Sequence, residues 1–216
     1  RDRDVTGVQT CALPIFKAEE IREDIIRMLE KAGSGHSAGP LGLADIFTAL
    51  YFSVLKHDPA KPDWKERDIL LLSNGHCVPV RYATMAHAGY FEKSELMTLR
   101  QFGSRLQGHP ERLKLPGLEN TSGPLGCGLS QACGMSLAMR MNNDNFRWIY
   151  VVLGDGEQDE GNIWEAAMLA AKLKHKAGDY PMEVQAIIEA LLHQGNKVSS
   201  GDGHFIQVDL CLEGAF

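Results

Sequence analysis

The sequence predicts an α/β fold, a parallel sheet with helices on both faces. Three observations predict it. Two short apolar runs, DILLL at 68–72 and WIYVVL at 148–153, read as buried strands. The stretches around them carry apolar residues at helical spacing. Each strand runs into a polar, Gly-containing turn, SNGH after the first and GDG after the second, and ligands of such sheets sit at the carboxyl ends of the strands.

The elements follow in order. Residues 17–31 form an amphipathic helix on Ile21, Ile25, Ile26 and Leu29. GSGHSAGPLG, 33–42, is a loop. A second helix covers 43–55 and stops before the proline-rich HDPAKPDW. After the 68–72 strand come helices at 80–88 and 94–102, the latter with Ser94 as N-cap. Residues 103–123 are loop-rich. A helix of small residues, 125–141, starts directly after GPLG. The strand at 148–153 leads to a helix at 160–174, where Ala166, Ala167, Ala170 and Ala171 allow close packing.

Bulk properties narrow the function classes. The 216 residues suffice for one α/β domain with a sizeable core. At 44% hydrophobic and 23% charged residues, the composition is that of an ordinary globular chain. The net charge of −6, without a Lys/Arg run, argues against a nucleic-acid partner. No apolar stretch is long enough to span a bilayer. The five Cys lack CxxC spacing and read as buried thiols in a reducing compartment. The opening RDRDVTGVQTCALPIF is not a convincing signal peptide and resembles translated sequencing-adapter sequence. Residues 1–15 are therefore set aside as a non-native or disordered tail.

The stretch LGDGEQDEGNIWEA, 153–166, gathers Asp155, Glu157, Asp159, Glu160 and Glu165 just after a strand. Gly154 and Gly156 let a ligand approach the backbone, and Asp155 stands where a ligand loop should start. One carboxylate with phosphate oxygens and water is a usual way to hold Mg²⁺. Taken alone, GDG is better read as a strand-to-helix turn whose acids cap the next helix. Three other loops, GSGH, SNGH and QGHP, place His36, His76 and His109 directly after Gly. Each alone is better read as a surface or capping His. Together they point to a shared site for hydrogen bonding or proton transfer. His57 and His87 lack this context and read as incidental. In SGPLGCGLSQACGMSLA, Gly123, Gly126 and Gly128 bracket a helix start whose N–H groups could meet an anion or a polar ring. The other reading is a helix end packed tightly on the sheet. The absence of GxxxxGK and of a strand followed by GxGxxG weakens P-loop and dinucleotide readings.

Taken in order, GSGHSAGPLGLADIFTALYF, LLSNGHCVPVRYATMAHAGYF, LRQFGSRLQGHP, TSGPLGCGLSQACGMSLA and VVLGDGEQDEGNIWEAAMLAAKL closely resemble the amino-terminal part of transketolase, most of all the bacterial type split into two chains. The resemblance implies a thiamine diphosphate-binding fold over 16–174, its diphosphate-binding domain, incomplete at the C-terminal end. It implies thiamine diphosphate and Mg²⁺ as cofactors, and transfer of a two-carbon ketol unit between sugar phosphates in carbohydrate metabolism, the pentose phosphate pathway, in the cytoplasm. It places Mg²⁺ on Asp155, the diphosphate on Gly156, and the aminopyrimidine on Gly123, Pro124 and Leu125. His76 and His109 match cofactor- and donor-facing histidines, and His36 one that contacts substrate. Glu160 and Glu165 match acids at the dimer-related cofactor interface, which leaves Glu157 and Asp159 as helix-start charges.

The resemblance also marks departures. The family follows GDG with a strand ending in Asn, a second Mg²⁺ ligand. Here that position falls near Gln185, in PMEVQAIIEALLHQ at 181–194, which reads as an amphipathic helix; the next Asn is Asn196. The expectation is a half-built metal site and a sheet short of a strand. Residues 175–216 form a divergent tail of unknown origin, and its GDG at 201–203 is a turn. The family's catalytic Glu lies in a separate pyrimidine-binding domain, so the resemblance implies a partner chain and a dimer or heterotetramer. Two alternatives stand beside it: another thiamine diphosphate enzyme such as a pyruvate dehydrogenase α-type subunit, and a truncated or chimeric fragment without catalysis.

Overall fold

The computed structural model describes residues 6–144, 147–176, 184–189 and 206–209, with side-chain surroundings over 15–144 and 147–172. Asn196, His193, His204 and the GDG at 201–203 lie outside the described residues. The chain forms two compact units. One comprises Arg1–Arg67 and His76–Leu118, the other Asp68–Gly75 and Glu119–Phe216. No helix among the described residues is long and apolar enough to cross a membrane.

The first unit is helical. Helix α1 (Thr6–Ala32) packs against α3 (Ala44–Ala49) and α4 (Val78–His87), with the short α2 (Ala38–Gly42) between α1 and α3 in the chain. Ala18, Ile21, Ile25 and Met28 form the buried stripe of α1 at helical spacing. Ile26, expected in that stripe, is 54% exposed, because it follows Ile25 directly and so points off the buried face. The helix expected over 43–55 forms as α3 and continues as a π-helical turn, Leu50–Val54, closed by Leu55 N–H donating to the Leu50 carbonyl at 2.8 Å. The expected 94–102 helix is a 3₁₀ segment, Lys93–Thr98. Ser94 lies inside it rather than capping it. The segment ends early because Arg100 takes φ of 60° and gives its N–H to the Leu106 carbonyl.

Two histidines read as incidental are structural. His57 donates from Nε2 to the Tyr51 carbonyl at 2.6 Å, which leaves Nδ1 to accept from the Tyr90 hydroxyl at 3.0 Å. The His87 side chain is fully buried; its Nε2 donates to Asp24 Oδ2 at 2.7 Å, joining α4 to α1.

The second unit is built on a sheet. Strands β1 (Ile69–Leu72), β2 (Ile149–Gly154) and β3 (Val184–Glu189) run parallel, and β4 (Ile206–Asp209) pairs antiparallel with β3. Leu71, Ile149, Val151 and Leu153 share one face and a core with Leu129, Ala132, Cys133, Ile163 and Ala166 from α5 (Cys127–Met141) and α6 (Gly161–Lys176). Leu70, Leu72 and Val152 alternate to the other face and are buried as well. Asn120 acts as a piece of strand on β1: its Oδ1 accepts from Leu72 N–H at 3.3 Å and its Nδ2 donates to the Leu72 carbonyl at 3.2 Å. Among the described residues, Cys77, Cys127 and Cys133 form no disulfide.

The helix read over 181–194 is corrected where the chain is described. Val184–Glu189 is a strand, and the strand read as missing after β2 is present there. The apolar residues of VQAII fit a helix face, but their β-branched members also suit a pleated surface, and pairing along β2 decides between the two.

Candidate functional site

The expected site residues fall into both units, and each group is built by its own loops. In the helical unit, His36 follows the turn after α1 and His76 lies in the 3₁₀ turn Gly75–Cys77 that opens α4. Their rings lie 5.1 Å apart between centroids, tilted by 58°. His109 stands in the loop that follows the 3₁₀ segment. Burial, then the electrostatic influence of His36 and Arg100, hold its imidazole below the ordinary pKa. The guanidinium of Arg100 lies against the Gly108 backbone, so that a Cβ there would come within 3.0 Å of Nε. The structure thus brings His36 beside His76 and within the electrostatic reach of His109. It adds Arg100, which sequence reasoning missed; its positive φ has no signal in composition or spacing. A neutral imidazole at His109 can accept a proton from a hydroxyl.

In the sheet unit, the Ser73–Gly75 end of β1, the GDG end of β2 and the start of α5 converge on one buried side chain. Glu157, expected as a helix-start charge, is only 1% exposed. Its Oε1 accepts from Ser73 Oγ–H at 2.6 Å and from Gly126 N–H at 2.7 Å, and its Oε2 accepts from Gly154 N–H at 2.7 Å. Ser73 Oγ in turn accepts from Gly128 N–H at 3.0 Å. Two glycines let the segments meet. Gly126 takes φ of 78°, and a Cβ on it would stand 2.2 Å from Asn162 Oδ1; a Cβ on Gly128 would stand 2.4 Å from that of Ser73. Gly123, Pro124 and Leu125, the turn just before, are half-buried to exposed. Ser122 Oγ and Asn162 Oδ1, buried polar atoms without a hydrogen-bond partner among the described residues, border that turn.

Asp155 caps the 3₁₀ turn Gly156–Asp159, its Oδ1 accepting from Gly156 N–H at 2.8 Å, and its Oδ2 bonds to none of the described residues. None of the described residues lies within 4 Å of the place a Gly156 Cβ would take, so among them the backbone there is open to a ligand. No three His, Cys, Asp or Glu side chains among the described residues are grouped to hold a metal. One free carboxylate oxygen beside an open glycine fits Mg²⁺ carried by phosphate oxygens, and the two unpartnered polar atoms fit a polar ring at the Gly123–Leu125 turn. Glu160 and Glu165 are exposed at the start of α6. Gln185, read as standing near the second metal ligand's place, pairs with Tyr150 early in β3; the residue that pairs with Gly154 is Glu189.

Comparison with known proteins identifies the family. The family model described as transketolase, thiamine diphosphate binding domain, matches residues 16–177. The chain is 44% identical over 154 residues to a 6-deoxy-6-sulfo-D-fructose transketolase subunit of Clostridium sp. (strain MSTE9), covering 71% of this chain. It is 40% identical over 159 residues to an apulose-4-phosphate transketolase subunit of Phocaeicola vulgatus, covering 74% of this chain. In each case it spans 56% of the relative's length. Among solved structures, transketolase from Leishmania mexicana superposes with a TM-score of 0.71 at 35% identity, over 79% of this chain and 26% of that one. Transketolase from Campylobacter jejuni gives a TM-score of 0.68 at 37% identity, over 73% of this chain and 26% of that one. With a model match over most of the chain, and the GDG turn, the GPL turn and the Gly-His loops in place, this chain belongs to the transketolase family through its thiamine diphosphate-binding domain.

Proposed function

We propose that the chain is the diphosphate-binding part of a transketolase, and that it transfers a two-carbon ketol unit between sugar phosphates together with a partner chain. The observation that carries the reading is the Asp155–Gly156 turn at the end of β2, where one carboxylate oxygen and the backbone beside it are not engaged by any described residue. Asp155 would hold Mg²⁺, and Gly156 would lie along the diphosphate. Gly123, Pro124 and Leu125 would seat the aminopyrimidine. When bound, thiamine diphosphate supplies the carbanion chemistry. His36, His76 and His109 would bind the hydroxyls of the sugar, and a neutral His109 would take the hydroxyl proton as the carbon–carbon bond breaks. Glu160 would face the partner, which carries the catalytic Glu in its pyrimidine-binding domain. The assembly is a dimer or heterotetramer acting in the cytoplasm, in pentose phosphate metabolism.

The test mixes the chain with a C-terminal transketolase subunit, thiamine diphosphate and Mg²⁺. Xylulose 5-phosphate with an aldose phosphate acceptor is expected to be consumed, and pyruvate is not; the reverse would support the pyruvate dehydrogenase reading. A second reading, a fragment that folds without ketol transfer, is favoured by Glu189, not an Asn, ending β3 opposite Gly154, where the resemblance puts a second Mg²⁺-binding Asn at the end of the strand. Calorimetry separates them. Mg²⁺-dependent binding of thiamine diphosphate that Asp155→Ala abolishes supports the first reading, and no binding by the reconstituted wild type supports the second.

A further inference from the structure

We propose that Glu157 is a positioning residue that ties the Asp155–Gly156 turn to the Gly123–Leu125 turn, so that a diphosphate held at the first is felt at the second. The inference rests on the proposed function for its ligand, and on the hydrogen bonds alone for the tie.

The connections run through a few bonds. Glu157 lies two residues beyond Asp155 and reaches back to the end of β2 through Gly154 N–H. It reaches the residue directly after Leu125 through Gly126 N–H. Ser73 forms the third arm. Its hydroxyl proton goes to Glu157 Oε1, because its oxygen accepts from Gly128 N–H in the first turn of α5. Every group facing Glu157 in these bonds is a donor, and a carboxylate answers all of them by accepting. A surface acid at a helix start would be solvated; this one is 1% exposed and shares its oxygens among three chain segments. Buried charge-assisted bonds of this kind are short and costly to break, which makes the network stiff. The same side chain therefore fixes where Gly156 and Leu125 begin and end, though neither touches it in these bonds.

Side-chain chemistry makes the tie testable. Gln at 157 replaces one acceptor oxygen by an NH₂ that faces an N–H or O–H donor, at almost unchanged volume. Amide exchange in the full chain reads the tie directly. In Glu157→Gln, the Gly126 and Gly154 amides are expected to exchange at least about tenfold faster than in the wild type, the loss expected for charged hydrogen bonds. Ser73→Ala, which removes one arm and the Gly128 acceptor, is expected to speed exchange at Gly128 most. It stands in if Glu157→Gln does not fold. Unchanged rates in both variants would overturn the tie.

The coupling is read with inorganic pyrophosphate and Mg²⁺, which occupy the diphosphate end alone. In the wild type, pyrophosphate is expected to shift the amides of 154–157 and also those of Leu125 and Gly126. In Glu157→Gln the shifts are expected to stay within 154–157. Shifts confined to 154–157 in the wild type would overturn the coupling. If pyrophosphate does not bind, the proposed function and the coupling that rests on it fail, and the exchange rates still decide the tie.

Discussion

At the scale of single residues, side chains do here what their motif neighbours conceal. Gly126 is the clearest case. Its φ of 78° suits a residue without a side chain, and Asn162 Oδ1 fills the place a Cβ would take. Gly126→Ala is expected to destabilise the chain by about 1–3 kcal/mol through left-handed strain and displacement of Asn162. A lowered urea midpoint with unchanged slope would confirm it. His109 offers a second prediction. Burial first, then the electrostatic influence of His36 and Arg100, holds its pKa down. Arg100→Gln removes that of Arg100, so the His109 pKa is expected to rise, while Arg100→Lys keeps the charge and most of the depression. Imidazole NMR titration reads both. A His109 curve unmoved in Arg100→Gln would show that burial and His36 set it without Arg100.

At the scale of elements, the sequence is legible where local pattern and tertiary context agree. The strands at 68–72 and 148–153 and the helices containing residues 17–31, 125–141 and 160–174 appear within a few residues of their expected bounds, except that α1 begins at Thr6. The GDG and Gly-His loops are legible because their residue types are unusual together. Glu157 is not, since an acid after a turn looks the same whether solvated or buried; only the meeting of Ser73, Gly126 and Gly154 distinguishes them. Val184–Glu189 is misread for a similar reason, its apolar spacing fitting a helix until β2 offers it a parallel edge. His87 shows how a residue without a motif joins two elements. Lys17, Glu20 and Asp24 of α1 face it, with Lys93 beyond, and burial outweighs the Asp24 bond to lower its pKa from 6.5. The sign follows: the unfolded chain binds the proton first as pH falls, so stability is full above about pH 6.5 and is lost below it until the folded value is reached. Asp24→Asn keeps an acceptor oxygen but removes the negative charge that opposes burial. It is expected to push the His87 pKa lower, to extend that loss to lower pH, and to cost about 1–2 kcal/mol at neutral pH. Urea unfolding across a pH series checks it.

At the scale of the whole molecule, the chain spans 56% of two relatives that are themselves named as transketolase subunits. The proposed activity therefore depends on a surface that a partner can cover. Helix α6 presents one. Trp164, Met168 and Leu169 are 60%, 64% and 50% exposed on the helix that follows Glu160 and contains Glu165, and Trp164 is anchored by its Nε1–H to the Gln158 carbonyl at 2.9 Å. An apolar strip of this kind facing water is costly unless something buries it, and the occupant that the proposed function requires is the chain carrying the catalytic Glu. Burying a large apolar side chain contributes roughly 1.5–3 kcal/mol. Met168→Asp is therefore expected to weaken association with a C-terminal transketolase subunit by about tenfold or more, since about 1.4 kcal/mol is a factor of ten. Sedimentation of the mixed chains measures the affinity, and amide exchange within the unit Asp68–Gly75 and Glu119–Phe216 of the isolated variant reports whether its fold is intact. Wild-type affinity in Met168→Asp would place the partner elsewhere on the chain, and α6 would then lie outside the contact that completes the enzyme.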